Sequence, residues 1–431
     1  MIAKNKNIPD GKHDLKLMDT QNLYDLEYFY YPLTTARTPS GEFSVSIGDT
    51  VYVGDILGTR KAAFFEQPFY STVSGKVISI EKHLDQFLKP HDCLKVQSDG
   101  LFTKSSKLVE RSDEEIKKIP RNELVELTKQ IGLIGLGGSA FPSYIKMQTT
   151  DQVDIIVANG VECEPLLVSD YLLTKENYED LFKGLLIAIE ACGAKKGIIA
   201  IKEKYHELYE LLNEKIEPYR KLNLEIKLVG NYYPQGWEVE TIKSSIGINV
   251  PPGELTSKYG VIDYNVTTLI YLYRGIKYGL PVEERIFSLS GNAITNKLYK
   301  VKVGSLLQDI IDKDNPIYSD EQDKLLVLGG PLMGNNINTF DIVVTPTITN
   351  LTVSYAEKII ENPCIRCGSC VLSCPASLSP VQIMNAYKSK DKDELIKLKV
   401  SKCVECGLCS YVCTSKIHLT EIIRSAKKFI R

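Results

Sequence analysis

The chain changes its hydrophobic period several times, and each change marks a predicted unit. Residues 1–36 are polar and weakly patterned, which is typical of an N-terminal arm. Over residues 37–100, short runs rich in apolar and β-branched residues are separated by turns that contain glycine, which predicts a small β domain. The strand-like runs are "FSVSI", "TVYVG", "GKVISI" and "CLKVQ".

An alternation of helices and strands follows over residues 112–280. Apolar positions recur at the helical period in "DEEIKKIPRNELVELTKQI", where Pro120 suits a helix start. Apolar runs then alternate with longer helical stretches, which predicts an α/β domain with a parallel or mixed sheet. The predicted strands are "QVDIIVANG", "KGIIAIKE" and "LEIKLVG", and the predicted helices are "YEDLFKGLLIAIEACG" and "YHELYELLNEKIEPY".

Two further units are predicted after residue 280. Residues 281–347 combine short strands with one short helix, "SLLQDIID", which is typical of a β-grasp unit. Residues 355–431 are helical, with groups of cysteines at the turns. The fold class is therefore multidomain α/β and α+β. The 431-residue length agrees with this division, because single cores stop growing at about 250–300 residues.

Composition narrows the classes of function. The chain is 43% hydrophobic and 25% charged, with a net charge of -2, as in soluble globular proteins. A nucleic-acid-binding protein typically has a cluster of basic residues, and this nearly neutral chain shows none. The longest apolar stretches fall short of the roughly 20 residues of a membrane span, and no signal peptide is recognised. We expect a cytoplasmic protein that reaches the inner face of the cell membrane only through partner subunits.

Eight of the 11 cysteines lie beyond residue 360, in two runs of the form C-x2-C-x2-C-x3-C. This is the bacterial ferredoxin spacing, in which three close thiolates bind one [4Fe-4S] cluster and the fourth binds the other cluster. Zinc, the alternative, prefers paired C-x2-C groups. We predict one cluster on Cys364, Cys367, Cys370 and Cys413, and a second on Cys374, Cys403, Cys406 and Cys409.

A glycine-rich loop, "LIGLGGSAFPSYIK", lies in the α/β unit. Gly135, Gly137 and Ala140 satisfy G-x-G-x-x-A, but the dinucleotide fingerprint requires a preceding strand and a following helix start. Here a helix precedes the loop and a Phe-Pro pair follows it. Glycines still allow backbone amides to approach an anion or a planar ring, and Lys146 offers a positive charge. A tight structural turn is the alternative interpretation.

Polar side chains follow the predicted strands, where α/β proteins form ligand crevices. Any one of them could be a solvated loop residue, but together with the glycine loop they indicate a ligand site. They are Asn159, Glu162, Glu164 and Asp170, then Glu238 and Glu240, and finally Asn265 and Thr268.

The motifs described above, taken in their order along the chain, resemble those of the RnfC family. RnfC proteins are the peripheral subunit of the Rnf ferredoxin–NAD oxidoreductase complex. The resemblance covers nearly the whole chain from about residue 40, and the central part is similar to the FMN- and NADH-binding subunit of respiratory complex I. Residues 37–100 resemble a lipoyl/biotinyl-like barrel-sandwich domain, and residues 281–347 a soluble-ligand-binding β-grasp (SLBB) domain. The matching motifs are "GLGGSAFPSYIK", "NGVECEP", "YPQGWEVETI", "NVTT", "GGPLMG" and the two cysteine runs.

The resemblance implies FMN, NAD(H) and two [4Fe-4S] clusters as cofactors. It places Glu162 and Glu164 beside the nicotinamide and ribose, as the catalytic residues. A flavin also suits the chemistry, because nicotinamide transfers two electrons as a hydride whereas a cluster carries one. The residues implied to hold FMN are Gly135, Gly137, Gly138 and Lys146 at the loop, and Asn159 and Asn265 at its ring or phosphate.

The implied function is an NADH-dependent flavin and iron–sulfur oxidoreductase subunit. It would pass electrons between NAD(H), FMN and the clusters beside other Rnf membrane subunits, in ferredoxin-linked electron flow. Two stretches, "NIPDGKHDLK" and "TTARTPSGE", depart from the usual RnfC pattern. One alternative is therefore a soluble protein like PrdC, which delivers NADH electrons to proline reductase or another reductase. Another is a non-enzymatic iron–sulfur carrier or scaffold that binds no nicotinamide.

Overall fold

The computed structural model describes residues 8–430, so the first seven residues of the predicted arm and Arg431 lie outside it. None of the helices in this range combines the length and apolar character that crossing a bilayer requires. The strands are β1 Gln21–Leu23, β2 Tyr28–Pro32, β3 Ser40–Phe43, β4 Thr50–Val51, β5 Ile56–Lys61, β6 Glu66–Tyr70, β7 Gly75–Leu84, β8 Pro90–Ser98, β9 Ile155–Asn159, β10 Lys196–Lys202, β11 Leu224–Val229, β12 Val261–Asn265, β13 Glu284–Ser290, β14 Lys297–Lys302, β15 Lys324–Leu328, β16 Asn335–Ile337 and β17 Asn350–Tyr355.

The helices alternate with strands only in the middle of the chain, and the C-terminal part is helical. Three short 3-10 helices cover Leu15–Leu17, Thr256–Tyr259 and Val400–Lys402. The α-helices are α1 Asp113–Ile116, α2 Arg121–Gln130, α3 Ser143–Met147, α4 Ser169–Glu176, α5 Tyr178–Cys192, α6 His206–Lys215, α7 Glu217–Arg220, α8 Glu238–Ile246, α9 Val266–Tyr278, α10 Leu307–Asp314, α11 Ser369–Leu372, α12 Pro380–Lys388, α13 Lys392–Lys397, α14 Leu408–Tyr411 and α15 Leu419–Ile430.

The N-terminal β domain consists of two sheets, in the order β2-β8-β7-β4 and β3-β5-β6. Apolar side chains from both sheets meet in one core, which includes the fully buried Phe29, Leu57, Val77 and Leu94. Two small sheets that share a core in this way confirm the predicted β domain and form the barrel sandwich that the resemblance implies.

Residues 8–36 are more ordered than the predicted arm. Strand β2 pairs antiparallel with β8 inside the barrel sandwich, and β1 runs parallel to β14 in the β-grasp sheet. Leu15 and Lys12 are almost completely buried. The prediction of an arm over 1–36 is wrong for this range, because short strands with partners far along the chain give little local periodicity.

The α/β domain is built on a fully parallel sheet in the order β11-β10-β9-β12. The strands and helices predicted between residues 150 and 230 are confirmed. Helices α5 and α9 pack closely, since a Cβ added at Gly184 would lie 1.9 Å from the backbone oxygen of Leu269. Asn159 and Asn265 end neighbouring strands and are register partners, so the predicted polar groups meet at one sheet edge.

The β-grasp domain forms a six-stranded sheet in the order β1-β14-β13-β17-β15-β16. Strand β17 runs parallel to β13 and lies between β13 and β15. The structural unit therefore extends beyond the predicted boundary at residue 347. Its core includes Phe287, Val301, Ile310 and Leu351, contributed by three strands and the single helix α10.

Candidate functional site

The two cysteine runs have the same backbone conformation. In each run a left-handed residue lies just before the second cysteine, another follows that cysteine, and a third comes three residues after the fourth cysteine. Each run thereby forms a tight turn followed by a one-turn helix, α11 or α14. The matched left-handed pairs are Arg366 and Glu405 (φ 56° and 57°), Gly368 and Gly407 (both 77°), and Ser377 and Lys416 (56° and 58°).

Backbone amides point at the sulfurs in both runs. The N–H of Arg366 donates to Cys364 Sγ and that of Glu405 donates to Cys403 Sγ, both at 3.4 Å. The fourth cysteines accept in the same way from Leu378 and Ile417, at 3.3 and 3.4 Å. Hydrogen bonds of this kind stabilise thiolates. They also adjust the reduction potential of a cluster that the thiolates bind.

Cysteines of the two runs lie close to one another. Cys374 lines a small cavity together with Cys403, Cys406 and Cys409, although it belongs to the other run. Cys413 in turn packs with Cys370, and Cys367 Sγ lies 4.0 Å from Oγ1 of the adjoining Thr414. Among residues 8–430, no three or more His, Cys, Asp or Glu side chains are arranged to hold a single metal ion.

A cavity of about 940 Å³ lies where the α/β, β-grasp and ferredoxin domains meet. Ligand sites typically measure about 300–1,000 Å³, so the cavity lies at the upper end of the usual size range. All eight predicted flavin and nicotinamide residues line this cavity, and two predicted cluster ligands do so as well. These residues are Gly135, Gly137, Gly138, Lys146, Asn159, Glu162, Glu164 and Asn265, with Cys403 and Cys406.

The glycine loop is a closed turn held at its base. The N–H of Gly135 donates to the carbonyl of Phe141 at 2.8 Å, and Leu136 N–H donates to Thr268 Oγ1 at 2.9 Å. The N–H groups of Gly137 and Gly138 donate no hydrogen bond within residues 8–430. A Cβ at Gly137 would lie 3.0 Å from the Asn265 side chain, so the loop passes close to the end of β12.

The Lys146 side chain contacts strand β12 close to the end that the glycine loop approaches. Its Nζ donates to the backbone carbonyl of Asp263 at 2.8 Å and lies 5.2 Å from the centre of the Tyr264 ring. The Asp263 carboxyl is buried, and its Oδ1 has no hydrogen-bond partner in residues 8–430. Burial, together with the nearby Glu238, raises the pKa of Asp263 to about 7.

The two asparagines are fixed by hydrogen bonds. Asn159 Nδ2 donates to the backbone carbonyl of Gly236 at 3.1 Å, and its Oδ1 accepts from Val161 N–H at 3.1 Å. Asn265 caps helix α9, and its Nδ2 donates to Asp170 at 2.6 Å. Both side chains therefore have defined orientations at the cavity wall.

Glu162 is held by a lysine from the N-terminal segment. Lys12 Nζ donates to the backbone carbonyl of Glu162 at 2.6 Å and lies 3.6 Å from its Oε2. The other carboxylate oxygen accepts from Ser169 Oγ and Asp170 N–H, both at 3.2 Å. Burial raises the pKa of Glu162, and the charge of Lys12 opposes that rise.

Glu164 contacts the "GGPLMG" segment of the β-grasp domain. Its Oε1 accepts from the N–H groups of Leu332 and Met333, at 2.6 and 2.9 Å, and its Oε2 lies 3.1 Å from the Tyr233 hydroxyl. A Cβ at Gly330 would lie 1.7 Å from Glu164 Cγ, so the two segments pack without a gap. Glu164 therefore joins two domains at the cavity wall, whatever its contact with a ligand.

Sequence reasoning missed several charged residues of the site. Lys12 lies in the segment predicted as an arm, and Arg285 lies on strand β13 of the β-grasp domain. No local pattern distinguishes these two from surface charges, because their burial depends on distant segments. The ferredoxin domain adds further charged residues to the cavity wall, namely Glu405, Arg424, Lys427 and Lys428.

Comparisons with protein families agree with the division into domains. Residues 7–101 match the RnfC barrel sandwich hybrid domain, residues 128–274 the Nuo51 FMN-binding domain, and residues 356–414 the 4Fe-4S dicluster domain. An FMN-binding α/β domain joined to a dicluster domain defines a flavin and iron–sulfur electron-transfer protein.

Curated relatives identify the family. The chain is 32% identical over 351 residues to the C subunit of the Na⁺-translocating ferredoxin:NAD⁺ oxidoreductase complex of Acetobacterium woodii, covering 79% of this chain and 76% of that protein. It is 30% identical over 379 residues to the C subunit of the ion-translocating oxidoreductase complex of Haemophilus influenzae strain PittEE, covering 84% of this chain and 56% of that relative. The chain belongs to the RnfC family.

A solved structure shares the fold. The NAD⁺-reducing [NiFe]-hydrogenase in its air-oxidized state aligns with a TM-score of 0.50 at 19% identity. The alignment covers 72% of this chain and 65% of the hydrogenase chain. At this identity the likeness supports the domain architecture only.

The cavity fits a flavin on its own geometry. Two loop amides have no acceptor within residues 8–430, and the loop passes so close to Asn265 that a side chain at Gly137 would crowd it. Buried polar atoms of Glu162, Asp263 and Arg285 also have no hydrogen-bond partner within residues 8–430. Buried polar groups are normally satisfied, so the wall has the unfilled donors and acceptors of a ligand site.

Replacing Lys12 by methionine tests the role of the buried ion pair. Without the lysine charge, the main opposition to the effect of burial is removed, and the pKa of Glu162 rises further. We expect the acidic limb in the pH profile of NADH-driven flavin reduction to move to higher pH. Lys12→Arg should restore most of the profile, whereas Lys16→Met, next to Tyr171 and Tyr205, serves as the matched control. Identical profiles for wild type and Lys12→Met would contradict the interpretation.

Proposed function

We propose that this protein passes electrons between NAD(H), FMN and two [4Fe-4S] clusters as an RnfC-type subunit. One observation carries the proposal: a single cavity is lined both by the glycine loop and by Cys403 and Cys406. A flavin in that cavity would lie next to a cluster, with no intervening domain to cross. The relatives' names, which describe them as components of oxidoreductase complexes, agree with this role.

The chain's own residues have three tasks in this scheme. Gly135, Gly137, Gly138 and Lys146 hold the flavin, and Asn159 and Asn265 orient it. Glu162 and Glu164 position the nicotinamide and ribose from the end of β9. When bound, FMN connects two-electron transfer from nicotinamide to one-electron transfer to the clusters.

Tyr233 connects the nicotinamide side of the cavity to the cluster turn. Its hydroxyl lies 2.6 Å from the backbone carbonyl of Cys406 and 3.1 Å from Glu164 Oε2. Cys406 is one of the ligands proposed for the nearer cluster. Because the Tyr233 hydroxyl contacts both segments, it holds the Glu164 segment at a fixed distance from the cluster turn. Electron transfer between the nicotinamide and the cluster requires such a fixed distance.

The proposed setting follows from the family. The relatives' names place them in ion-translocating complexes, and we propose that this chain likewise assembles with Rnf membrane subunits. It would then lie on the cytoplasmic face of the membrane and reach it only through those subunits. The terminal acceptor can instead be a soluble reductase without any change in the cavity.

Anaerobic mixing of the purified, cofactor-loaded protein with NADH tests the proposal. We expect bleaching of flavin absorbance followed by cluster absorbance. Iron and sulfide without extractable flavin would support the carrier or scaffold alternative. Bound flavin and clusters that NADH fails to bleach would contradict the nicotinamide role.

A further inference from the structure

Arg285 is the most deeply buried charged residue on the cavity wall. It is the second residue of β13, is 1% exposed and belongs to the β-grasp domain rather than to the FMN-binding match at residues 128–274. It lines the same cavity as the glycine loop. A third domain therefore contributes a buried cation to the wall of this cavity.

Two of the three guanidinium nitrogens of Arg285 are buried without a hydrogen-bond partner among the residues that the structure describes. Its Nε and Nη1 make no hydrogen bond in residues 8–430, and no carboxylate in that range forms an ion pair with it. Burying a charged donor without an acceptor is costly, and native proteins rarely do so. The arrangement is explained if the acceptor arrives with the ligand.

The neighbouring carboxylates do not meet this need. Glu162 and Asp170 are close enough to act on Arg285 electrostatically. Glu162 faces Lys12, and Asp170 accepts from Asn265 Nδ2 and Thr267 Oγ1, both at 2.6 Å. Neither carboxylate hydrogen-bonds to the guanidinium, whose Nε and Nη1 donors remain free for another oxyanion.

We propose that Arg285 binds a phosphate group of the nucleotide held in this cavity. Guanidinium and phosphate form paired, charge-assisted hydrogen bonds, and the ligands proposed above carry phosphates. The inference rests on the proposed function and deepens it. It assigns the β-grasp domain a direct part in nucleotide binding, in addition to its packing against Glu164.

Ligands with and without phosphate test this contact. The full-length, flavin-depleted protein is titrated with FMN and with riboflavin, before and after Arg285→Gln, by flavin fluorescence. If the flavin phosphate is the acceptor, the FMN affinity falls about 10- to 100-fold while the riboflavin affinity changes little. A second arm compares NADH with reduced nicotinamide riboside, and a loss confined to NADH assigns the contact to the dinucleotide phosphates.

Controls separate this contact from a general loss of structure. Arg274→Gln removes a nearby arginine that pairs with Asp180 at 2.7 Å and does not line the cavity, so it should leave both affinity ratios unchanged. If Arg285→Gln does not fold, Arg285→Lys tests the same ratios with the charge kept. The inference would be overturned if Arg285→Gln lowered the affinities for FMN and riboflavin equally and those for NADH and reduced nicotinamide riboside equally. It would also be overturned if none of these affinities changed. A wild-type protein that binds no flavin would instead overturn the proposed function.

Discussion

Replacing Cys406 by alanine is expected to leave the flavin reducible by NADH while blocking electron entry into the Cys364, Cys367, Cys370 and Cys413 cluster. Cys406 lines both the large cavity and the small cavity of the crossed cysteine set. The cluster that we propose for Cys406 is therefore the one nearer the large cavity, and we expect it to accept electrons first. We expect NADH-driven reduction of the remaining cluster to slow at least about 100-fold, measured by EPR on freeze-quenched samples.

Two cysteine variants make this result specific. Cys367→Ala is expected to remove the cluster on Cys364, Cys367, Cys370 and Cys413, here called the outer cluster, and to leave the nearer one fully reducible by NADH. Cys93→Ala, at a buried cysteine of the barrel sandwich, should change neither cluster. Equal reduction of the outer cluster in wild type and Cys406→Ala would reverse the proposed order of the two clusters.

Gly137→Val is expected to abolish flavin retention without changing the iron content. A Cβ at this position would already lie 3.0 Å from the Asn265 side chain, and valine adds two methyl groups beside it. The loop must then move away from the strand end where the flavin is proposed to bind. Flavin and iron are measured on the same anaerobically purified samples, and we expect less than about one tenth of the wild-type flavin.

Gly137→Ala provides a graded comparison. Alanine brings only the first contact with Asn265, so we expect weaker flavin binding rather than its loss. Flavin retained at wild-type level in Gly137→Val would place the flavin elsewhere. Loss of iron together with flavin would indicate general unfolding, which the cluster spectrum would show directly.

The parts of the site that are local in sequence could be predicted. The cysteine spacing predicts a tight turn in each run, and both runs form one, because the geometry of such a turn depends on its own residues. The carboxyl ends of β9 and β12 meet because parallel strands align their ends at one edge. Asn159 and Asn265 are therefore brought together as the sequence indicates.

The parts that depend on distant segments could not be predicted. Lys12 reaches Glu162 across 150 residues, and strand β1 joins a sheet whose other strands begin at residue 284. Nothing in the local pattern of a lysine or an arginine shows which distant carboxylate or cavity it will face. For Glu164, the family resemblance implies a catalytic role, and the structure adds contacts to the β-grasp segment that no motif reveals.

The most direct measurement compares the flavin-depleted protein with the same protein after FMN is restored. NADH is added anaerobically to both, and reduction of the clusters is followed by absorbance and EPR. If the cavity connects nicotinamide to the clusters through a flavin, only the restored protein should show reduced clusters. Clusters that are reduced equally without FMN, or that stay oxidised in the restored protein, would contradict that pathway.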